Sequence, residues 1–436
     1  MKADIRRLSS DAPDFDAQIA ALQAPMEVID PGLVSTVSEI IGRIRKRGDA
    51  AILELTESLD DYAVTDMSDL IFDRQRLSEF EERISDLERS ALKTAAARIE
   101  RYHQQQLNQD WSIEDEYGSR LGQRILAMSS AGLYVPGGKA SYPSSVLMNA
   151  IPAKVAGVPD VTMVAPTPGG NLNPLVMAAA SMAGVDRVVT IGGAQAVAAL
   201  AYGTESIRAV DKIVGPGNRF VAEAKRQVFG KVGIDMIAGP SEIFVIADGS
   251  VDAKWIALDL MSQAEHDEVA QAVCISPNGA YLDAVAEAID ALLPTMPRRG
   301  VIEASLKNRG ALIVVEDLER AARLSNLFAP EHLELAVRDA DQLLPHITHA
   351  GAVFLGAYSS ESLGDYCVGT NHVLPTSGAA RFSSPLGVYD FQTRTSIIDV
   401  NSRGAKALAE VAGTIADGES LAAHAMAARI RVEDPS

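Results

Sequence analysis

The chain has 436 residues, 47% of them apolar, and a formal net charge of −19. That length suits two or three domains with substantial cores, while the charge argues against partners held through phosphate or anionic lipid, which call for clustered Lys and Arg. Its two cysteines, Cys274 and Cys367, are too few for a disulfide framework. Residues 1–20 lack the apolar core of a secretion signal, and no run approaches the roughly 20 apolar residues that span a bilayer. The chain therefore reads as a cytoplasmic protein that serves a small-molecule ligand.

Apolar residues at three- and four-residue spacing predict amphipathic helices over 33–60 and 78–107. From about Val161 the texture changes to short β-branched runs separated by Ala-rich helical stretches. The runs fall at 161–164, 187–191 and 211–214, then at 243–247, 272–276, 311–315, 332–337 and 352–355. This rhythm predicts an α/β fold with two buried parallel sheets. The turn Val135-Pro136-Gly137-Gly138 and the stretch Gly239-Pro240-Ser241 bracket the first series and predict an inserted unit. The expected division is an N-terminal extension 1–26, a discontinuous α/β domain 27–133 and 241–384, an inserted unit 134–240 and a C-terminal extension 385–436. The last offers a strand-like run at 396–400 and two Ala-rich helices ending near Arg431. It is too short to bury a core of its own and is expected to pack on another subunit.

Polar chemistry concentrates in a few places. The run Ser262-Gln263-Ala264-Glu265-His266-Asp267 puts Gln263 and His266 three apart on one helical face, where both can touch one ion. Alone the pair reads equally as a hydrogen-bonded couple on a solvated helix. Asp365 and His424 are the most plausible remote donors, and two imidazoles, a carboxylate and an amide oxygen suit zinc with positions left for substrate. Glu331-His332 opens a predicted strand, where an imidazole can take a proton from an alcohol and a carboxylate can activate water; the competing reading is a salt-bridged or capping pair. Asp365 with His372 and Glu419 with His424 form further clusters, so four of the seven histidines sit beside carboxylates or amides.

The turns Gly192-Gly193 and Gly215-Pro216-Gly217-Asn218 each stand between a strand and a helix, where a bare backbone lets a phosphate approach the helix N-terminus. Neither is a G-x-G-x-x-G fingerprint. Tyr134 is either a core ring or one that packs on a flat ligand. Cys367 lacks a nearby histidine to activate it as a nucleophile. Trp111 and Trp255 read as structural, and His103, His346 and His349 as solvated.

Taken together, the segments 134–138, 142–149, 192–196, 214–218, 238–242, 262–267, 329–334, 364–366 and 370–376 resemble the histidinol dehydrogenase family, and the likeness runs from about Arg43 to the C-terminal helices. The resemblance implies two incomplete Rossmann-like domains in a domain-swapped homodimer. It implies oxidation of L-histidinol through the aldehyde to L-histidine with two NAD⁺, and one zinc per subunit held by Gln263, His266, Asp365 and His424. NAD contacts are implied at Tyr134, Gln195 and Asn218. Substrate contacts are implied at Ser241, Gln263, His266, Glu331, His332, Asp365, His372, Glu419 and His424, with Glu331 and His332 as the acid–base pair. Glu419 and His424 would complete the site of the neighbouring subunit. Two other readings are a relative that oxidises another small polyol and a catalytically silent zinc-binding dimer. The presence of Ser241, His372, Glu419 and His424 argues against the first, and the intact Glu331-His332 pair against the second.

Overall fold

The computed structural model describes residues 4–24, 30–137 and 142–432. Gly138 of the predicted turn and the predicted boundary at 26–27 lie outside the described residues.

Two six-stranded sheets carry the molecule, and they share one plan. In sheet I the strand order is Arg6–Ser9, Ala311–Val314, Gln271–Ser276, Glu242–Ala247, His332–Ala336, Ala352–Leu355, all parallel. From Glu242–Ala247 the chain steps outward twice, then crosses back to lay His332–Ala336 on the other side. In sheet II the order is Ile71–Asp73, Arg187–Val189, Asp160–Val164, Ser130–Tyr134, Lys212–Val214, Gly233–Ile234, parallel except for the first pair. Here the reversal falls between Ser130–Tyr134 and Lys212–Val214. Each sheet is thus a doubly wound half with its switch point beside a central strand, Glu242–Ala247 in sheet I and Ser130–Tyr134 in sheet II. The predicted parallel strands are all present.

Helices cover both faces of each sheet, which is why the strands are apolar on both sides. Within Glu242–Ala247 the alternation is explicit: Ile243, Val245 and Ala247 enter one core, and Phe244 and Ile246 the other. Phe244 is fully buried with the Phe328 ring 4.7 Å away. Truncating such a ring to alanine costs about 3–5 kcal/mol.

The strands divide the chain differently from the expected partition. The N-terminal strand Arg6–Ser9 completes the edge of sheet I, and helix Phe15–Gln23 buries Phe15, Ile19 and Leu22 in its core. Much of 27–133 joins sheet II: helix Pro31–Asp60 packs on helices Gly193–Tyr202 and Arg219–Val228, and the strands Ile71–Asp73 and Ser130–Tyr134 lie within that sheet. A boundary at residue 134 would cut that sheet at the end of its central strand.

The predicted C-terminal run belongs to strand Gln392–Asp399, which pairs antiparallel with Arg120–Ala127, itself paired with Trp111–Glu114. Helices Ser402–Gly418 and Ala422–Arg429 follow and pack on each other. This arm leaves apolar side chains in solvent, among them Trp111, Ile398, Val411, Ile415 and Met426. Among the described residues no helix is long and apolar enough to cross a membrane.

Candidate active site

The two sheets contribute opposite ends. Helix Ala253–Ala264 leaves the carboxyl end of its strand and runs back, so its last turn brings Gln263, with His266 just beyond, to the amino ends of sheet I. Glu331 and His332 enter that edge from the other side of the switch point. The turn before them is set by Ala329, a non-glycine residue at φ +50° that caps helix Leu318–Phe328; such a conformation costs about 1–2 kcal/mol and is kept where the surroundings impose it.

The backbone of Glu242 holds the pair in place. Its N–H donates to Glu331 Oε2 at 2.9 Å, and its carbonyl accepts from His332 Nδ1 at 3.0 Å. A carbonyl can only accept, so Nδ1 carries a proton, and Nε2 is the position at which the ring gains or loses its second one. That Nε2 is buried without a hydrogen-bond partner and lies 3.4 Å from Asp365 Oδ1. Burial opposes charge on His332, but Glu331, Glu361 and Asp365 outweigh it and lift its pKa well above the ordinary value. Burial likewise pushes Glu331 up to about 8 and Glu242 up to about 7.

Gln263 is fully buried; its Nε2 donates to His266 Nδ1 at 3.3 Å, and its Oε1 has no partner. Asp365 lies on helix Glu361–Tyr366, where the imidazoles of His332, His372 and His266 all act on its charge. His372 donates from Nδ1 to the Asp365 carbonyl at 2.9 Å and accepts from Ser145 Oγ at 3.2 Å, so both ring nitrogens are committed within the protein. Ser241 is half-buried between Pro240 and Glu242, its carbonyl taking the Gln271 amide. Glu419 and His424 stand apart: both are exposed on the C-terminal arm.

Sheet II supplies its carboxyl ends. Gly215 stands at φ +109° with the Tyr134 carbonyl where a Cβ would need to be, so the turn after Lys212–Val214 admits only glycine. Its two backbone polar groups are clamped by a fully buried ion pair: Asp235 Oδ2 accepts from Gly215 N, and Lys225 Nζ donates to Gly215 O and to Asp235 Oδ1. Tyr134 is a buried ring whose hydroxyl accepts from Gly193 N at 3.0 Å and fixes the first turn of helix Gly193–Tyr202. Gln195, in that turn, is buried with its Oε1 unpartnered. Asn218 caps helix Arg219–Val228 through Oδ1 and leaves its amide nitrogen exposed. A crevice at a switch point beyond the carboxyl ends of parallel strands is where such folds receive dinucleotides.

The geometry agrees with known proteins. The family model for histidinol dehydrogenase matches residues 26–432. Histidinol dehydrogenase from Pseudomonas fluorescens (strain Pf0-1) is 58% identical over 99% of this chain and 98% of its own, and that from Chromobacterium violaceum is 57% identical over 98% and 99%. The chain belongs to the histidinol dehydrogenase family. A crystal structure of the family member from Elizabethkingia anophelis superposes with a TM-score of 0.94 at 32% identity, over 99% of both chains. Members of this family are NAD-dependent oxidoreductases of histidine biosynthesis and use zinc, and the chain is an enzyme of that class.

Several residues that shape this family's site here went unnoticed in the sequence. Ser145 sits in an almost entirely buried helix, Pro143–Val155, and its Pro-Ser-Ser start was the only hint. Behind His332 lies a set of buried acids: Glu361 Oε1 is 3.6 Å from its Nδ1, and the Glu361 amide donates to Glu334 Oε1 at 2.8 Å. Burial lifts Glu361 to about 8, Asp259 to about 6 and Glu334 well above the ordinary carboxylate range. His103, expected in solvent, is fully buried, with Nδ1 donating to the Ile99 carbonyl and the ring beside Asn371. His332, Glu361 and Asp365 also offer three ligand atoms within 4.8 Å of one another, a constellation that shares only Asp365 with the expected ligand set.

Proposed function

We propose that the crevice between the sheets oxidises L-histidinol through L-histidinaldehyde to L-histidine, consuming two NAD⁺ in turn. The observation that carries this reading is the placement of His332: a buried imidazole whose Nδ1–H is fixed by the Glu242 carbonyl, whose Nε2 has no hydrogen-bond partner, and whose neighbour is the carboxyl of Glu331. That is a general base with a second base beside it.

The donors fit a divalent cation. Gln263 presents a buried amide oxygen with no partner, His266 follows it on the same face, and Asp365 lies among three imidazoles. These three would hold zinc within one chain, with His424 as the fourth ligand from a second copy. When bound, zinc templates the nitrogens of the substrate and NAD⁺ accepts hydride. His332 then takes the alcohol proton at Nε2. Glu331 removes a proton from the water that adds to the aldehyde, His332 returns its proton to the oxyanion so formed, and in the second oxidation His332 takes the proton of the resulting hydrate. Both groups are buried, which keeps a reactive aldehyde from bulk water. The unpartnered Gln195 Oε1, the Asn218 amide and the Tyr134 hydroxyl at the glycine turns support cofactor contacts at sheet II.

The exposed apolar arm supports a homodimer with shared sites. A groove of about 700 Å³, lined by Tyr102, Phe354, Tyr358 and Leu363 among others, borders the helix of Asp365 and gives such an arm a seat. The free thiols of Cys274 and Cys367 support a reducing, cytoplasmic setting. Subunit mixing tests the shared site. His332→Asn and His424→Ala dimers are each expected to be inactive, yet a mixed dimer has one site with neither substitution, so random reassortment restores about one quarter of wild-type activity. No recovery in verified mixed dimers would contradict the shared site.

A further inference from the structure

We infer that Glu242 is a positioning residue that locks the Glu331–His332 pair to the Ser241 and His372 side of the site. The inference rests on the reading of Glu331 and His332 as the acid–base pair. Register sets the geometry: Ile243 is the partner of His332 across the two switch-point strands, so Glu242 stands one residue before the ladder, level with Glu331. There its N–H leaves the sheet pattern to donate to Glu331 Oε2, while its carbonyl takes the Nδ1–H of His332. One peptide segment thus fixes the orientation of one catalytic group and the tautomer of the other.

A backbone clamp works only if its own segment is fixed, and here the Glu242 side chain does that. Glu242 Oε1 accepts from the Ser377 amide at 3.2 Å, and three residues earlier in its loop Gly239 N donates to Thr376 Oγ1 at 2.6 Å. The loop carrying Ser241 is therefore stitched twice to the loop that begins at His372. His372 in turn is held by the Asp365 carbonyl and by Ser145. The carboxyl of Glu242 is buried and has no role as a proton acceptor for substrate in the proposed chemistry. Its place is explained by what it ties together: acid–base pair on one side, substrate-facing loops on the other. Groups that orient catalytic side chains in this way lose rate when removed because the pair drifts from its reacting geometry.

The test uses the full-length, zinc-loaded enzyme with Glu242→Ala, Glu242→Gln and Thr376→Val. Glu242→Ala is expected to lower kcat for histidinol about 10- to 100-fold, the range for lost orienting contacts, with bound zinc and the KM for NAD⁺ unchanged. Glu242→Gln keeps an acceptor oxygen for Ser377 and is expected to recover most of that loss. Thr376→Val is expected to lower kcat in the same sense by a smaller factor. Wild-type kcat in Glu242→Ala, or equal impairment in Glu242→Gln and Glu242→Ala, would overturn the inference. Should Glu242→Ala fail to fold, Thr376→Val decides, and an unchanged kcat there overturns it. Full turnover in His332→Asn would instead remove the acid–base reading itself, a different failure from full turnover in Glu242→Ala alone.

Discussion

Sheets I and II have the same strand order around the same switch point, yet opposite ends of the two carry their candidate site residues, with opposite chemistry. Sheet II presents carboxyl ends carrying bare glycine turns and helix starts, and the buried ion pair Lys225–Asp235 serves to hold Gly215. Sheet I presents amino ends crowded with Glu242, Glu331, His332 and, behind them, Glu334 and Glu361, all buried. A shared architecture therefore leaves function open; what each edge bears decides whether it receives a phosphate-rich cofactor or moves protons. The costs differ too. A neutral turn needs only permissive backbone, whereas buried acids stand only where protonation, hydrogen bonds or opposite charge offset desolvation.

The sharpest way to break this contrast is at its proton-moving edge. His332→Asn keeps a group able to donate to the Glu242 carbonyl and removes the base, so kcat should fall about 10²- to 10⁴-fold while bound zinc stays at the wild-type level. Loss of zinc along with turnover would instead assign His332 to a metal triad with Glu361 and Asp365. At the other edge, Asp235→Asn leaves Lys225 buried without its counter-charge and should cost about 3–5 kcal/mol in denaturant unfolding, with a raised KM for NAD⁺ in whatever folds. A variant as stable as wild type would show that the pair does not hold the turn.

A smaller effect follows from Glu331. Its carboxyl is raised by burial to about 8, and only the ionised form can take a proton from water. Oxidation of histidinaldehyde should therefore slow about tenfold per pH unit below that value and level off above it. A profile flat through that pH in aldehyde oxidation would remove Glu331 from the water-activating role.

How far the sequence revealed this molecule varies with the physics of each element. The β-branched strands and long amphipathic helices were legible because burial on both faces or on one imposes a pattern. Ser130–Tyr134, the central strand of sheet II, was not. Its Gly132 lies where a Cβ would press on Leu200 and Val210, so helix Gly193–Tyr202 approaches closely at that glycine, and Ser-Ala-Gly-Leu-Tyr carries no β-branched signal. The three-residue edge strand Ile71–Asp73 is too short to register. His103 misled because its neighbours are polar, whereas a bond to the carbonyl four residues back satisfies it in the core. Lys225 and Asp235 sit ten residues apart with nothing local to join them. Gln263, His266, Glu331, His332 and Asp365 were found as clusters, and the structure gathers them. Glu419 and His424 remain on an exposed arm, apart from the other five.

The central claim is that one site carries out both oxidations without releasing the aldehyde, and counting NADH formed per histidinol consumed, with and without a zinc chelator, tests it most directly. The account predicts two NADH per histidinol and loss of activity on chelation. One NADH per histidinol with aldehyde in solution, or full activity without metal, would contradict it.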